Sequence, residues 1–179
     1  HISLSTCGLA DRIDELAKEN FPITLSISLH ASDDQTRSSI MPVNKKWNVD
    51  ALLSACREYY AVTGRHISFE YTLIAGKNDS AANALELAEV LNRTLREKPQ
   101  RGRERGVSVP IHVNLIPVNP IKERDFTAPN HANAVSFQKK LEKYGINVTI
   151  RREMGRDIDG ACGQLRKSYL DREKGEREC

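Results

Sequence analysis

The sequence predicts an α/β fold: an incomplete, TIM-like barrel of about five parallel strands alternating with helices. Three observations carry this. Short runs rich in β-branched residues alternate along the chain with segments that repeat apolar side chains at helical spacing, the pattern of βαβ units and a parallel sheet. Five such strands are too few to close an eight-stranded barrel. Polar and reactive residues collect just after the strands, where ligands bind in parallel α/β folds.

The first strand is expected over residues 2–6, closed by Cys7-Gly8, and its free edge calls for a neighbouring strand. Leu9, Ile13, Leu16 and Ala17 then recur at helical spacing until Asn20–Pro22. The second strand is Ile23–Leu29, followed by a long polar loop from His30 to Asn48. Asp50 is expected to cap a helix with Leu52, Leu53, Cys56, Tyr59 and Tyr60 on one side, ending at Gly64. His66–Ile74 reads as the third strand, and Asp79 or Ser80 caps a helix with the stripe Leu85, Ala88, Leu91 and Leu95. A basic loop over 98–106 leads to a fourth strand, Val109–Ile116, stopped by Pro117 and Pro120. A helix at about 130–143, carrying Val135 and Leu141, precedes the fifth strand, Ile146–Arg151. We divide the chain into a barrel part, 1–165, and a charged tail, 166–179, read as a helix that frays towards Cys179.

A chain of 179 residues, 39% hydrophobic and 28% charged, is long enough for one domain with a real core. It has no low-complexity tract, internal repeat or apolar run of membrane-spanning length, and neither a secretory leader nor a membrane partner is expected. Cysteines at 7, 56, 162 and 179 make no Cys-x-x-Cys pairing, so no metal site is expected in this chain and the cytoplasm is the expected compartment. The net charge of +3 permits RNA binding without requiring it. The densest basic patch, at 93–105, reads first as a solvated loop and second as a phosphate-binding surface. The chain opens inside an apparent strand without an initiator methionine, which reads as a piece of a longer protein.

Four strand ends deliver polar groups to one rim: Ser5-Thr6, then Ser28-Leu29-His30, then Asn114 to Asn119, then the loop holding Cys162. Each has an ordinary explanation. Ser5 could cap the following helix, His30 could bond a backbone carbonyl, and Asn119 before Pro120 could make a turn. Cys162 could be an inert thiol, although Gly160, Ala161 and Gly163 keep bulk away from its sulfur. Four on one rim point to a site. Phosphate-cradling glycine loops and the Gly-x-Ser-x-Gly elbow are absent, so the chemistry must come from a cofactor or from residues outside this chain.

Ser5-Thr6-Cys7-Gly8, Ser28-Leu29-His30-Ala31, Met41-Pro42-Val43-Asn44-Lys45, Asn114-Leu115-Ile116-Pro117-Val118-Asn119-Pro120 and the run Asp157–Leu165 occur in this order. Together they resemble the carboxyl-terminal half to two thirds of the radical S-adenosylmethionine methyltransferases that act on carbon 2 of adenine in 23S ribosomal RNA and certain transfer RNAs. The likeness runs from residue 1 to about 170. It implies a radical-SAM partial barrel, a 4Fe–4S cluster on a Cys-x-x-x-Cys-x-x-Cys loop, and a protein electron donor for that cluster. It also implies that Cys162 is the catalytic methyl carrier, that Ser5, Ser28, Leu29, His30 and Asn119 contact S-adenosylmethionine, and that a second, upstream cysteine resolves the adduct as a disulfide. Adenine carbon 2 is electron-poor, so radical chemistry must be imported by a cofactor. A thiolate suits the carrier role because it accepts a methyl group and later leaves as half of a disulfide. Cys56 and Cys7 are expected to pack, and Cys179 to be exposed.

Three other readings remain: a sister enzyme methylating carbon 8 of the same adenine, a non-catalytic RNA-binding relative, and an α/β domain in which Cys162 is only a thiol. The cluster cysteines, the Gly-Glu segment gripping the methionine amino group, the resolving cysteine and a general base have no counterpart in this sequence. Anaerobic reconstitution with iron and sulfide is therefore expected to leave the chain without a stoichiometric 4Fe–4S spectrum; appearance of one would refute this.

Overall fold

A computed structural model describes residues 2–96, 106–118 and 126–151. In chain order its elements are β1 (Ile2–Thr6), α1 (Ala10–Glu19), β2 (Ile23–Ser28), α2 (Asp34–Ile40), a 3-10 turn (Pro42–Lys45), α3 (Val49–Thr63), β3 (Ile67–Leu73), α4 (Ala81–Leu95), β4 (His112–Pro117), α5 (His131–Lys143) and β5 (Asn147–Ile150). The strands form one sheet in the order β1-β2-β3-β4-β5, every neighbouring pair parallel. A strand order that never reverses, joined by right-handed crossovers, puts the connecting helices on one face. The sheet is thus a length of barrel wall, the fold class the sequence predicts, and not a doubly wound sheet.

The alternation of side chains along each strand gives the sheet two unlike faces. Leu25, Ile27, Ile67, Phe69, Tyr71, Leu73, Val113 and Leu115 share one hydrophobic cluster with helix residues such as Ile13, Leu52, Leu53, Leu87, Leu91 and Leu141. Over that face α1 packs on α3, α3 on α4 and α4 on α5. The intervening positions are polar and make the other face: Ser3 and Ser5, then Ser26 and Ser28, then Ser68 and Glu70, then His112 and Asn114, then Thr149.

Local chemistry accounts for the helix ends. The Ser80 hydroxyl accepts from the Asn83 N–H and Asn83 reaches back to the Ser80 N–H, a capping box that starts α4. Asn48, and not Asp50, caps α3: its Oδ1 accepts from the Ala51 N–H at 2.8 Å, and Asp50 sits in the first turn. Gly64 ends that helix in the left-handed conformation, φ +61°. The stripe of α4 runs through Ala84, Leu87, Ala88, Leu91 and Leu95, while Leu85 is only half-buried.

Two further expectations need correction. The segment 30–48 is not a plain loop but contains α2 and the 3-10 turn. Asp33 caps α2 by accepting from the Thr36 N–H at 2.7 Å. In its seven residues only Arg37 is buried, so no apolar period announces it. Cys7 is exposed: its carbonyl, and not its side chain, is held by Arg37 Nη2; Cys56 is buried in the core as expected. Asn119, Cys162, Cys179, most of the basic loop and the tail 166–179 lie outside the described residues.

Arg37 is the one fully buried charged side chain among the described residues. Its Nε donates to the Leu29 carbonyl at 2.9 Å, Nη1 to Asn44 Oδ1 at 2.9 Å, and Nη2 to the carbonyls of Cys7 at 2.9 Å and Ser28 at 3.0 Å. The carboxylate that balances it is one side chain away: Asp34 Oδ1 accepts from Asn44 Nδ2 at 3.0 Å and from the Val49 N–H at 2.8 Å. Gly8 fits here because it lacks a Cβ, which would lie 2.9 Å from Leu52 and 3.1 Å from Arg37 Nη2, and because its φ is +98°.

Arg37→Met should therefore strand three carbonyl oxygens and Asn44, costing roughly 3–5 kcal/mol in urea unfolding of the chain, the range for breaking a buried charged network. Arg37→Lys keeps the charge without the fork and should recover less than half of that. A loss under about 1 kcal/mol for Arg37→Met would contradict the account.

Candidate functional site at the carboxyl ends of the strands

Because all five strands are parallel, their carboxyl ends share one edge, and the polar face of the sheet opens onto it. Two rows of side chains cross that face at successive register levels. One runs through Ser5, Ser26, Ser68 and His112, the next through Ser28, Glu70, Asn114 and Thr149. Glu70 joins them. Its Oε1 accepts from the Ser68 hydroxyl at 3.1 Å and its Oε2 from Asn114 Nδ2 at 2.7 Å. Thr149 donates to Asn114 Oδ1 at 3.1 Å, while His112 meets Ser68 through Nδ1 at 3.1 Å and Thr149 through Nε2 at 3.3 Å. Burial holds the His112 pKa below its ordinary value, nearby His66 adds to this, and Glu70 opposes it.

The residues expected from the sequence occupy distinct positions on this rim. Ser5 is near the end of β1 and Ser28 is the last residue of β2. Neither hydroxyl has a hydrogen-bond partner among the described residues. The Leu29 side chain is fully buried in the core, and its N–H and carbonyl are taken by Glu70 and Arg37, so it shapes the rim from beneath. His30 turns the chain out of the sheet with a left-handed backbone, φ +61°, uncommon for a residue with a Cβ. Its ring stays at the rim: Nδ1 accepts from the Thr72 N–H at 3.1 Å. Burial first and the charge of Arg37 second push its pKa down to about 4. Asn119 and Cys162 lie outside the described residues.

Sequence reasoning did not single out Arg37, Glu70 or Asn78. For Glu70 a signal exists: Ser68-Glu70-Thr72 and His112-Asn114 alternate with apolar residues. A parallel strand covered on both faces reads instead as a continuous apolar run. For Asn78 there is none, since its contacts depend on how the chain turns after β3.

Hydroxyl, imidazole, amide and carboxylate groups on one face suit a ligand carrying a diol, a polar heterocycle edge and charged ends, and S-adenosylmethionine is such a molecule. The described residues do not suit an iron–sulfur cluster. Cys7 is exposed, Cys56 is sealed in the core with its thiol pKa pushed up by burial, and no three metal-binding side chains gather among the described residues. Nor is any described helix long and apolar enough to cross a membrane.

An open length of barrel wall with one polar face that opens at the strand ends defines the class: a partial-barrel α/β protein. Known proteins narrow this. The chain is 47% identical over 171 residues to the probable dual-specificity RNA methyltransferase RlmN of Lachnospira eligens, covering 96% of this chain and 45% of that protein. It is 49% identical over 172 residues to the protein of the same name from Lachnoclostridium phytofermentans, covering 96% and 44%. Among solved structures, a radical SAM methyltransferase from Sphaerobacter thermophilus matches with a TM-score of 0.79 at 43% identity, over 91% of this chain and 43% of that one. A domain of pyruvate-formate lyase-activating enzyme from Bacteroides vulgatus shares the fold, with a TM-score of 0.61 at 21% identity over 85% and 81%. No family model matches the sequence. Over the length it spans, the chain is similar to proteins named as probable RNA methyltransferases and to a solved radical SAM methyltransferase, and it spans somewhat less than half the length of the curated relatives it matches.

The low pKa of His30 has a thermodynamic consequence. Folded His30 stays neutral down to about pH 4, whereas the unfolded chain protonates it below 6.5. Its contribution is fully present above 6.5 and is lost as pH falls from 6.5 to about 4, by up to roughly 3 kcal/mol. Urea midpoints of wild type and His30→Gln should therefore converge on acidification through that window. Curves that stay parallel would show that His30 titrates normally in the folded chain.

Proposed function

We propose that this chain is part of a longer protein that methylates carbon 2 of adenine in 23S ribosomal RNA and transfer RNA. In this reading Ser5, Ser28, His30 and Asn119 contact S-adenosylmethionine at the strand ends, the Leu29 backbone shapes its seat, and Cys162 carries the methyl group. What supports it is sequence identity of 44–49%, over almost the whole chain, to relatives named as probable dual-specificity RNA methyltransferases, together with the polar face that the strand register builds.

When bound, S-adenosylmethionine supplies both the methyl group and the radical that activates it. The chain's residues do the rest. In this reading the Cys162 thiolate would be the nucleophile that accepts the methyl group, forming a carbon–sulfur bond as the methyl's bond to the sulfonium breaks. The small neighbours Gly160, Ala161 and Gly163 leave room for cofactor and base to reach that sulfur in turn. The target adenine must be exposed or splayed from its stack to arrive there. A second cysteine outside this chain would then attack the Cys162 sulfur: the sulfur–sulfur bond forms as the sulfur–methylene bond breaks, and the electron pair leaves with the carbon, which takes up a proton to become the methyl group. The 4Fe–4S cluster implied by the resemblance takes its ligands from the rest of the longer protein.

The test is mass spectrometry of that longer protein, expressed with its cluster-assembly machinery. Trypsin cuts after Arg156 and Arg166 and isolates Asp157–Arg166, in which Cys162 is the only cysteine. One added methyl on its sulfur is expected, with Cys162→Ala abolishing RNA methylation. An unmodified thiol in protein that methylates RNA would remove Cys162 from the role, and a product methylated at carbon 8 would replace the proposed position.

A further inference from the structure

The sheet edge beside the rim is finished by side chains in place of backbone. In the parallel pairing of β2 with β3, Ser28 lies opposite Glu70 and the Leu29 N–H donates to the Glu70 carbonyl at 3.0 Å. Continued by one rung, the ladder would send the Thr72 N–H to the Leu29 carbonyl and the Ala31 N–H to the Thr72 carbonyl. Neither bond forms, because the His30 backbone has left the sheet and the Leu29 carbonyl has been taken by Arg37 Nε. Instead the Thr72 N–H donates to His30 Nδ1 at 3.1 Å, and the Thr72 carbonyl accepts from Asn78 Nδ2 at 2.8 Å.

Asn78 is almost completely buried and its amide is hydrogen-bonded on both sides. Besides Thr72, its Nδ2 donates to the His30 carbonyl at 2.9 Å, and its Oδ1 accepts from the Ile74 N–H at 2.8 Å. Tyr71 donates its hydroxyl to the Asn78 carbonyl at 2.9 Å and fixes the backbone beneath. The amide has one workable orientation, since reversing it would point its oxygen at two carbonyls. One side chain thus holds both the strained residue, His30, and the strand position, Thr72, that bonds its ring.

An imidazole that accepts at Nδ1 while neutral carries its proton on Nε2. Among the described residues Nε2 has no hydrogen-bond partner. We infer that Asn78 is the positioning residue that holds His30 as a fixed, neutral Nε2–H donor, directed at an acceptor atom of the bound S-adenosylmethionine. The identity of the ligand rests on the function proposed above; the fixed tautomer does not. The arrangement discriminates by chemistry: a neutral donor on a rigid ring rewards an uncharged or anionic acceptor and gives nothing to a donor group.

Long-range proton–nitrogen spectra of the chain labelled with nitrogen-15 histidine test this directly. His30→Gln assigns the His30 signals, and His112, bonded at both ring nitrogens, serves as internal control. Wild type without cofactor should show His30 wholly in the Nε2–H form. Asn78→Ala should convert it to a tautomer mixture while His112 stays unchanged, and should weaken S-adenosylmethionine about tenfold in the longer protein, the worth of one well-aimed hydrogen bond. If Asn78→Ala fails to fold, the wild-type spectrum alone decides, since an Nδ1–H form or a mixture there overturns the inference. A tautomer that stays fixed in folded Asn78→Ala overturns the role of Asn78. A fixed tautomer whose Nε2 signal does not move when S-adenosylmethionine saturates the longer protein overturns His30 as its donor. Methylated Cys162 would be unaffected by any of these results, so the two proposals fail separately.

Discussion

A guanidinium sealed inside the rim is the interaction on which this end of the molecule depends. Where β1 and β2 leave the sheet, the carbonyls of Cys7, Ser28 and Leu29 turn towards a buried or part-buried place, and such groups are costly unless paired. Arg37 answers all three from one planar fork, and its remaining arm reaches Asn44. Through Asn44 and Asp34 the same network fixes the 3-10 turn and the first turn of α3. The course of the chain from Cys7 to Val49 is therefore set by one side chain from a seven-residue helix. The arrangement is available only because Gly8 brings no Cβ into the space that the guanidinium and Leu52 occupy.

Above that anchor the sheet is a partition between two solvents. One side is hydrocarbon, closed by four helices. The other is a lattice of hydroxyl, amide, imidazole and carboxylate groups in which Glu70 is the acceptor at the centre. Closed barrels fill their interior with packed branched side chains; here the inner surface is polar and partly open, which is what a water-soluble ligand needs in order to bind there. His30 stands at the boundary, its backbone bent out of the sheet and its ring returned to it, so the strain of a left-handed residue is offset by bonds from Thr72 and Asn78.

The sequence carried the strands and most helices because these depend on local period: Ile13 with Ala17 in α1, Leu87 with Leu91 in α4, the β-branched run at 23–27 in β2. It also carried Ser5, Ser28 and His30 as rim residues, since a parallel topology makes strand ends meet. It did not carry α2, whose one inward residue has no repeat. Nor did it carry the bonds of Glu70 to Asn114 or of Asn78 to His30, which join residues 44 and 48 positions apart and depend on register and a turn. Cys7 was misplaced for a related reason: its inward contact is made by its backbone carbonyl to Arg37, 30 positions away, and leaves no local signal in the sequence.

The unlike faces of the sheet also guard the chain while it folds. Shifting any inner strand by one residue would turn its serines and Glu70 or Asn114 into the helix layer and expose Ile27, Phe69 or Val113 in exchange. In a parallel sheet apolar on both sides, the same slip changes little. Here each one-residue slip buries a polar group and uncovers an apolar one at once, so the alternation that makes the inner face polar also proofreads the register.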